Sequence, residues 1–296
     1  MNTGLRIAIY GNPKAETPLL RSVADLIHIL MPHCAAIDIV DDFYAVLSQL
    51  VSLPGLVKSV NNPLPGTDII ISIGGDGTFL RAVSWEGKGN VPIAGLNAGH
   101  LGYLTGWTLQ EKDEFARAIL QKDYRVNHRS LIKIETEGFD GIEWPYALNE
   151  VAVLKENSSN MISVRAEIDG NYLADYYADG LIVSTPTGST GYNLSVGGPI
   201  LEPQLPAWII SPVAAHALNM RPLVVSDQLH LRLEAKSRTD NVLLSLDGRS
   251  VSLPDKVALT LTKAPFTMPV VRRSHTTFAD TLRDKLFWGV SKAPKG

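Results

Sequence analysis

Asp68-Ile69-Ile70-Ile71-Ser72-Ile73-Gly74-Gly75-Asp76-Gly77-Thr78-Phe79-Leu80-Arg81-Ala82 runs an apolar β-branched stretch into a glycine-rich turn and then into helical spacing. A run of that kind fits a strand covered on both faces of a parallel sheet. Glycines let the backbone take positive φ and let a ligand approach where a Cβ would otherwise stand. The turn falls at the carboxyl end of its strand, where open α/β sheets bind ligands. The helix behind it offers unpaired N–H groups and a positive dipole end, which favour phosphate. Asp76 is the one carboxylate of this turn, and the local sequence suits a turn or N-cap aspartate as well as a reactive acid.

Outward from this segment, strand and helix alternate. Leu5–Tyr10 reads as a first strand, ending at Gly11-Asn12-Pro13. The next helix takes Thr17 as N-cap and Pro18 at N1. Leu19, Leu20, Val23, Leu26, Ile27 and Leu30 recur at helical spacing and predict one buried face. Ala36–Val40 predicts a second strand, Phe43–Leu50 a short helix, Asn61–Gly66 a loop, and Val91–Asn97 a strand after the glycine turn. Thr108 and Glu111 form a capping box ahead of a helix carrying Phe115, Ala118 and Ile119. Such alternation implies a parallel sheet with helices on its faces.

Near Lys122–Arg125 the pattern changes, and strands dominate: Leu131–Thr136, Tyr146–Lys155, Ile162–Ile168, Tyr172–Tyr177, Leu181–Ser184, Leu223–Val225, Leu229–Glu234, Val242–Leu246 and Val257–Thr262. Asp169-Gly170 and Asp247-Gly248 sit between alternating runs as hairpin signals. The last stretch returns to helix, with Thr277 and Asp280 as a capping box and Phe278, Leu282 and Leu286 on one stripe. The expected fold class is α/β plus all-β. A Rossmann-like α/β domain spans residues 1–124, a β-sandwich spans 125–272, and a terminal helix within 273–296 packs back on the first domain.

Composition narrows the function. At 296 residues, 45% hydrophobic and 19% charged, the chain is an ordinary globular sequence rather than a disordered or collagenous one. Its single cysteine, Cys34, excludes a disulfide framework and any multi-cysteine metal site, and reads as a small core residue. A net charge of −3 leaves no electrostatic footprint for nucleic acid. No apolar run approaches the ~20 residues of a membrane span, and the amino terminus reads as a strand rather than a signal peptide. The expected location is the cytoplasm.

Two further segments carry polar chemistry. Asp179-Gly180 leads through a short strand to Thr185-Pro186-Thr187-Gly188-Ser189-Thr190-Gly191-Tyr192-Asn193-Leu194-Ser195-Val196-Gly197-Gly198-Pro199. Small hydroxyls and backbone amides suit a base or a sugar, and the tyrosine offers a stacking face; a polar loop between strands would look similar. Asn149-Glu150 is a polar pair inside the apolar run Tyr146–Lys155, so it either reaches a surface or meets a ligand.

Taken in order and spacing, Gly74–Gly77, Asn97–Leu104, Asn149-Glu150, Asp179-Gly180 and Thr185–Pro199 resemble the NAD kinase family over nearly the whole chain. The glycine-aspartate turn alone is shared with diacylglycerol kinases and is similar to one in phosphofructokinases. The resemblance implies two domains with NAD between them. It also implies transfer of the γ-phosphoryl of ATP, or in some members of polyphosphate, to the 2′-hydroxyl of the adenosine ribose. Asp76 would be the general base, with Gly77 and Arg81 beside phosphates. Asn149 and Glu150 would meet ribose and adenine, and Asp179 the nicotinamide carboxamide. Thr190, Gly191, Tyr192, Asn193, Leu194 and Ser195 would form the adenine pocket. A divalent cation, Mg²⁺ by its oxygen preference, would arrive with ATP, with no dedicated protein cage. Relatives are usually homodimers or homotetramers whose sites borrow from neighbouring subunits.

Gly191 stands where many relatives have alanine, and Tyr176-Tyr177-Ala178 where many have a basic residue ahead of the aspartate. Arg81 also fits an exposed helix arginine. His100 and His216 suit structural roles or ligand contact. Asp247 and Arg249 suit a plain hairpin or a site reached across a subunit interface. A dehydrogenase is excluded because Tyr10-Gly11-Asn12-Pro13 replaces the dinucleotide fingerprint after the first strand. No Walker motif occurs, and Thr187–Gly191 has the wrong spacing for a hydrolase elbow. A lipid kinase on the same glycine-aspartate turn and a non-catalytic NAD sensor stay as alternatives.

Overall fold

Ile69–Ile73 and Ile93–Asn97 are buried along their whole length and lie side by side in a parallel sheet. The structure is a computed structural model that describes residues 4–99, 102–156, 161–238 and 241–289. Its chain divides into two compact units: Met1–Asn127 with Met268–Gly296, and His128–Thr267.

In the first unit, β1 (Leu5–Gly11), β2 (Cys34–Val40), β3 (Val57–Val60), β4 (Ile69–Ile73) and β5 (Ile93–Asn97) pair in the order β3-β2-β1-β4-β5, all parallel. Helices α1 (Thr17–Leu30), α2 (Asp41–Leu50), α3 (Asp76–Glu86) and α4 (Lys112–Gln121) link or follow them, with β6 (Trp107–Thr108) pairing parallel to β5. The chain builds outward from β1 to β3 and then restarts on the other side with β4, so the order reverses between β1 and β4. In open α/β sheets that reversal opens a crevice at the strand ends, and the glycine turn after β4 sits there.

Helix α1 buries Leu20, Val23, Leu26, Ile27 and Leu30 as its spacing predicts. Its N-cap, however, is Glu16, whose carbonyl accepts from Leu20 N; Thr17 is already helical and makes no cap bond. Edge strand β3 escapes the sequence pattern because it is four residues long with only Val57 buried.

The second unit contains two sheets. One has the order β11-β10-β15-β18, from β11 (Asn171–Ala178), β10 (Ile162–Ile168), β15 (Leu231–Lys236) and β18 (Ala258–Arg273). On it, β7 (Tyr124–Thr136) pairs with β18, and β8 (Tyr146–Ala147) with β7. The other is antiparallel in the order β14-β13-β12-β9-β16-β17: β14 (Leu223–Ser226), β13 (Ala207–Val213), β12 (Gly180–Ser184), β9 (Glu150–Lys155), β16 (Asn241–Leu246) and β17 (Arg249–Pro254). Ile132, Val164, Leu233 and Leu259 from the first sheet share one core with Val153, Leu181, Trp208 and Leu244 from the second. This is a β-sandwich.

Both Asp-Gly hairpins form, with positive φ at Asp169, Gly170, Asp247 and Gly248. Tyr146–Lys155 is not one strand. It breaks at Leu148-Asn149, with β8 in one sheet and β9 in the other. Strand β18 extends well beyond Val257–Thr262 because Pro265 and Pro269 do not end it; its far end pairs parallel with β5 at Val270 and Val271. Strand β13 is absent from the predicted strands; it accommodates Pro212, which lies past the last residue that pairs with β14.

Helix α5 (Tyr192–Ser195) is a single turn. The terminal helix α6 (Phe278–Leu286) carries the predicted Thr277–Asp280 capping box and belongs to the first unit. Among the described residues no helix is long and apolar enough to cross a membrane.

Candidate active site

The glycine turn is built by close approach. Gly74 has φ +148°, and a Cβ there would lie 2.4 Å from the hydroxyl of Thr78. Gly75 is the extended N-cap of α3, so Asp76 is the first helical residue and not the cap. As an acid in the first turn it complements the helix dipole. Its side chain turns to a neighbouring loop instead: Oδ2 accepts Tyr103 N at 2.8 Å and Oδ1 accepts Leu104 N at 3.1 Å. Gly102 lets that loop in, since a Cβ there would stand 2.0 Å from Asp76 Oδ1.

Two cations hold the same loop from its carbonyl side. Arg272 donates to Tyr103 O at 2.9 Å and Leu104 O at 3.3 Å. Lys285, from α6, donates to Thr105 O at 3.4 Å and lies 5.4 Å from the Tyr103 ring centre. Burial, reinforced by the charge of Arg272, pushes the Lys285 amine down to about 8, against the pull of Asp76 and Asp284. Burial likewise lowers Arg272, opposed by Asp76. The peptide between Tyr103 and Leu104 thus has its carbonyl on Arg272 and its N–H on Asp76. Gly77 is exposed beside Asp76, whereas Arg81 is exposed further along α3 in hydrogen-bond contact with the Tyr10 hydroxyl.

In the second unit the break between β8 and β9 is held by the Asp247 carboxylate. It accepts Leu148 N at 2.7 Å, Asn149 N at 2.8 Å and Glu150 N at 3.0 Å. Thr185 holds the other side, donating its hydroxyl to Leu148 O at 2.5 Å and its N–H to Asn149 O at 2.8 Å. Gly188 packs so tightly that a Cβ there would lie 2.1 Å from Asn149 O. Around Gly191, a Cβ would stand 2.9 Å from Glu150 Oε2 and 3.4 Å from Asn149 Nδ2. The Tyr192 N–H donates to Glu150. Asn149 Oδ1 and Glu150 Oε2 are buried with no hydrogen-bond partner. Burial, then the nearby Asp247 charge, pushes the Glu150 carboxyl up to about 8.

Asn149, Glu150, Gly191 and Tyr192 therefore come together. Thr190 is half-buried, with its hydroxyl toward Thr187 O at 3.5 Å; Leu194 is half-buried, and Tyr192 and Ser195 are exposed. Asn193 is enclosed: it donates to Ser189 O and Pro199 O, accepts from the Ser211 hydroxyl, and would meet a Gly198 Cβ at 1.9 Å. It braces the turn. Asp179 stands apart, ion-paired with Lys155 at 2.7 Å. Its neighbour Gly180 pairs with Leu154 whereas Ser184 pairs with Glu150, so Asp179 stands opposite Lys155, roughly 16 Å along the ladder from Glu150.

His216 is exposed, and its N–H donates to Tyr177 O; His100 lies outside the described residues. The sequence offers Asp247 as a plain hairpin residue or part of a site reached across a subunit interface. Its role at the Leu148–Glu150 turn, like the loop contacts of Arg272 and Lys285, is not readable there because what each touches is far away in the chain. Arg249, near Asp247, donates to Trp144 O and Tyr146 O. Among the described residues, no group of three or more His, Cys, Asp or Glu side chains is placed to hold a metal ion.

A glycine turn at a sheet switch point with an anchored carboxylate beside it is the arrangement with which an α/β enzyme handles a nucleotide; the other unit has its own cluster with unpartnered polar atoms. The ATP-NAD kinase N-terminal domain matches residues 62–124, and the ATP-NAD kinase C-terminal domain matches 148–273. The NAD kinase of Bacteroides fragilis strain YCH46 is 40% identical over 288 residues, 96% of this chain and 98% of that one. The NAD kinase of Porphyromonas gingivalis strain ATCC 33277 is 40% identical over 287 residues, 97% and 99% of the two chains. Among solved structures, an Archaeoglobus fulgidus NAD kinase in complex with ATP aligns with a TM-score of 0.71 at 26% identity, over 96% of this chain and 98% of that one. A yeast NADH kinase complexed with NADH shares the fold, with a TM-score of 0.86 at 24% identity over 100% and 91%. The chain belongs to the NAD kinase family. Its activity is phosphoryl transfer to NAD, the step that makes NADP.

Proposed function

We propose that the chain moves the γ-phosphoryl of ATP to the 2′-hydroxyl of the adenosine ribose of NAD, with Asp76 accepting the hydroxyl proton. The observation that carries this reading is the anchoring of Asp76. Each oxygen accepts one backbone N–H, which fixes the carboxylate in space and leaves lone pairs for a substrate hydroxyl. Phosphoryl transfer asks mainly for such positioning, with one group orienting the nucleophile. The buried, unpartnered Asn149 Oδ1 and Glu150 Oε2 support their assignment to the bound nucleotide, since a ligand would satisfy them.

A divalent cation, Mg²⁺ by its chemistry, would enter on the ATP phosphates and neutralise their charge. The described residues offer no acidic cage for it. Asp179 lies well away from Glu150 along the same ladder, which supports its assignment to the nicotinamide end of an extended dinucleotide whose adenosine end meets Glu150.

Incubation with NAD, Mg²⁺ and either ATP or polyphosphate tests the reading. Product that an NADP-specific dehydrogenase reduces, and whose new phosphate is assigned to the 2′ position by phosphorus NMR, supports it. A phosphate at any other position overturns it.

A further inference from the structure

Asp247 is the one acid of the second cluster whose oxygens are spent on consecutive backbone N–H groups. Its hairpin conformation does not require this; the side chain could face solvent. Three N–H groups converging on one carboxylate make an anion-binding concavity. Asp247 N also donates to Glu150 O at 3.1 Å, so the two residues are tied in both directions. Two neighbouring carboxyls in a desolvated site do not both ionise. Burial raises the Asp247 carboxyl too, but there three backbone donors and Arg249 pull the other way. Glu150 receives one backbone donor, from Tyr192, and keeps Oε2 without a partner; of the two, Asp247 is the better placed to hold the charge.

We propose that Asp247 is a positioning residue of the nucleotide site: as an anion it fixes the Leu148–Glu150 turn and keeps Glu150 a neutral acid. Glu150 then presents an O–H donor beside a carbonyl acceptor, which matches the paired donor and acceptor edges of a nucleobase or a ribose diol. It also adds no negative charge beside a dinucleotide that already carries phosphates. The inference rests on reading Asn149 and Glu150 as nucleotide-binding residues. The charged and titratable groups facing Glu150 are Asp247 and, beyond it, Arg249, which lies near Asp247. Its cross-strand neighbour Ser184 is neutral.

The test is NAD affinity by titration calorimetry across pH 6 to 9, without ATP, on the full chain and on Glu150→Gln, Asp247→Asn and Glu150→Ala. If only the neutral acid binds, affinity falls about tenfold between pH 7 and pH 9 for an acid that titrates near 8. Glu150→Gln should bind with constant affinity over that range, whatever its absolute level. Asp247→Asn removes the neighbouring charge, so Glu150 ionises at lower pH and the fall in affinity moves down with it. The proposal is overturned if Glu150→Gln shows the parental pH dependence, or if a folded Asp247→Asn protein keeps its fall at the parental pH. Should Asp247→Asn fail to fold, the first comparison still decides. Parental affinity in Glu150→Ala at every pH would instead remove these residues from the nucleotide site altogether.

Discussion

Replacing Asp76 by asparagine separates the loop anchoring this side chain performs from the proton acceptance proposed for it. The carboxylate accepts Tyr103 N and Leu104 N on different oxygens, at 2.8 and 3.1 Å. An asparagine keeps one carbonyl oxygen and turns an NH₂ toward the other N–H, so one bond to a charged acceptor is lost and a donor faces a donor. A hydrogen bond to a charged group contributes about 1.5–3 kcal/mol, and a loss of that size lowers the melting temperature by roughly 3–12 °C for domains of this scale. The chemical effect is of another order. Removing a positioned base costs about 10²–10⁴ in rate, or roughly 3–5 kcal/mol of barrier.

Destabilisation cannot imitate that loss. A protein with a typical ~5 kcal/mol of stability that gives up about 3 still has well over nine-tenths of its molecules folded at 25 °C. A hundredfold fall in kcat at saturating NAD and ATP, with NAD binding retained by calorimetry, would therefore report proton acceptance and not unfolding. The informative control is Gly102→Ala, whose Cβ would press on Asp76 Oδ1 from 2.0 Å and move the carboxylate without removing it. If Asp76→Asn melts lower as expected yet turns over within tenfold of the parent, Asp76 is an anchor for the loop and some other group takes the proton.

Lys285→Met deletes the donor to Thr105 O and the cation over the Tyr103 ring; amide exchange across 102–106 should quicken and kcat should fall more than KM rises. Gly188→Ala drives a Cβ to 2.1 Å from Asn149 O, so the backbone must part there; NAD affinity should drop at least tenfold. The ligand-free protein should show Glu150 in its pH stability. Its folded-state pKa is raised to about 8, so its stabilising contribution is full below the unfolded value and is lost as pH rises through 8. Relative to Glu150→Gln, the parent should lose roughly 2.5 kcal/mol between pH 6 and pH 9 in denaturant melts.

The sequence made the glycine turn readable because its chemistry is local: a buried strand, φ-permissive residues and a helix start all lie within Asp68–Ala82. The Asp-Gly hairpins and both capping boxes were legible for the same reason. Strand β13 and the far half of β18 fall outside the predicted strands; both contain prolines, Pro212 in the one and Pro265 and Pro269 in the other, which a strand tolerates where no partner needs the missing N–H. The break at Leu148-Asn149 could not be read, since what ends β8 there is a carboxylate 98 residues further along, reaching Asn149 N. The same distance hid what Asp247 holds, and the loop contacts of Arg272 and Lys285 with Tyr103–Thr105 reach across still longer stretches of chain.

Counting hydrogen-bond capacity sorts the polar side chains of both clusters by what they can still do. A carboxylate has about four lone-pair positions. Asp247 commits three of them to Leu148, Asn149 and Glu150 in a desolvated setting, so it can frame the turn but has little left for a substrate. Asn193 is used up as well, with its two N–H groups on Ser189 O and Pro199 O and its oxygen taken by Ser211. Asp76 commits two, and Asn149 Oδ1 and Glu150 Oε2 commit none. Carboxylates suit the anchoring task because their bonds to backbone N–H are about twice as strong as neutral ones. The difference between a frame and a reactive acid is then one of unspent capacity, not of residue type. Asp76 thus keeps the capacity to anchor its loop and take the proposed proton at once, whereas Asp247 has capacity only for the first.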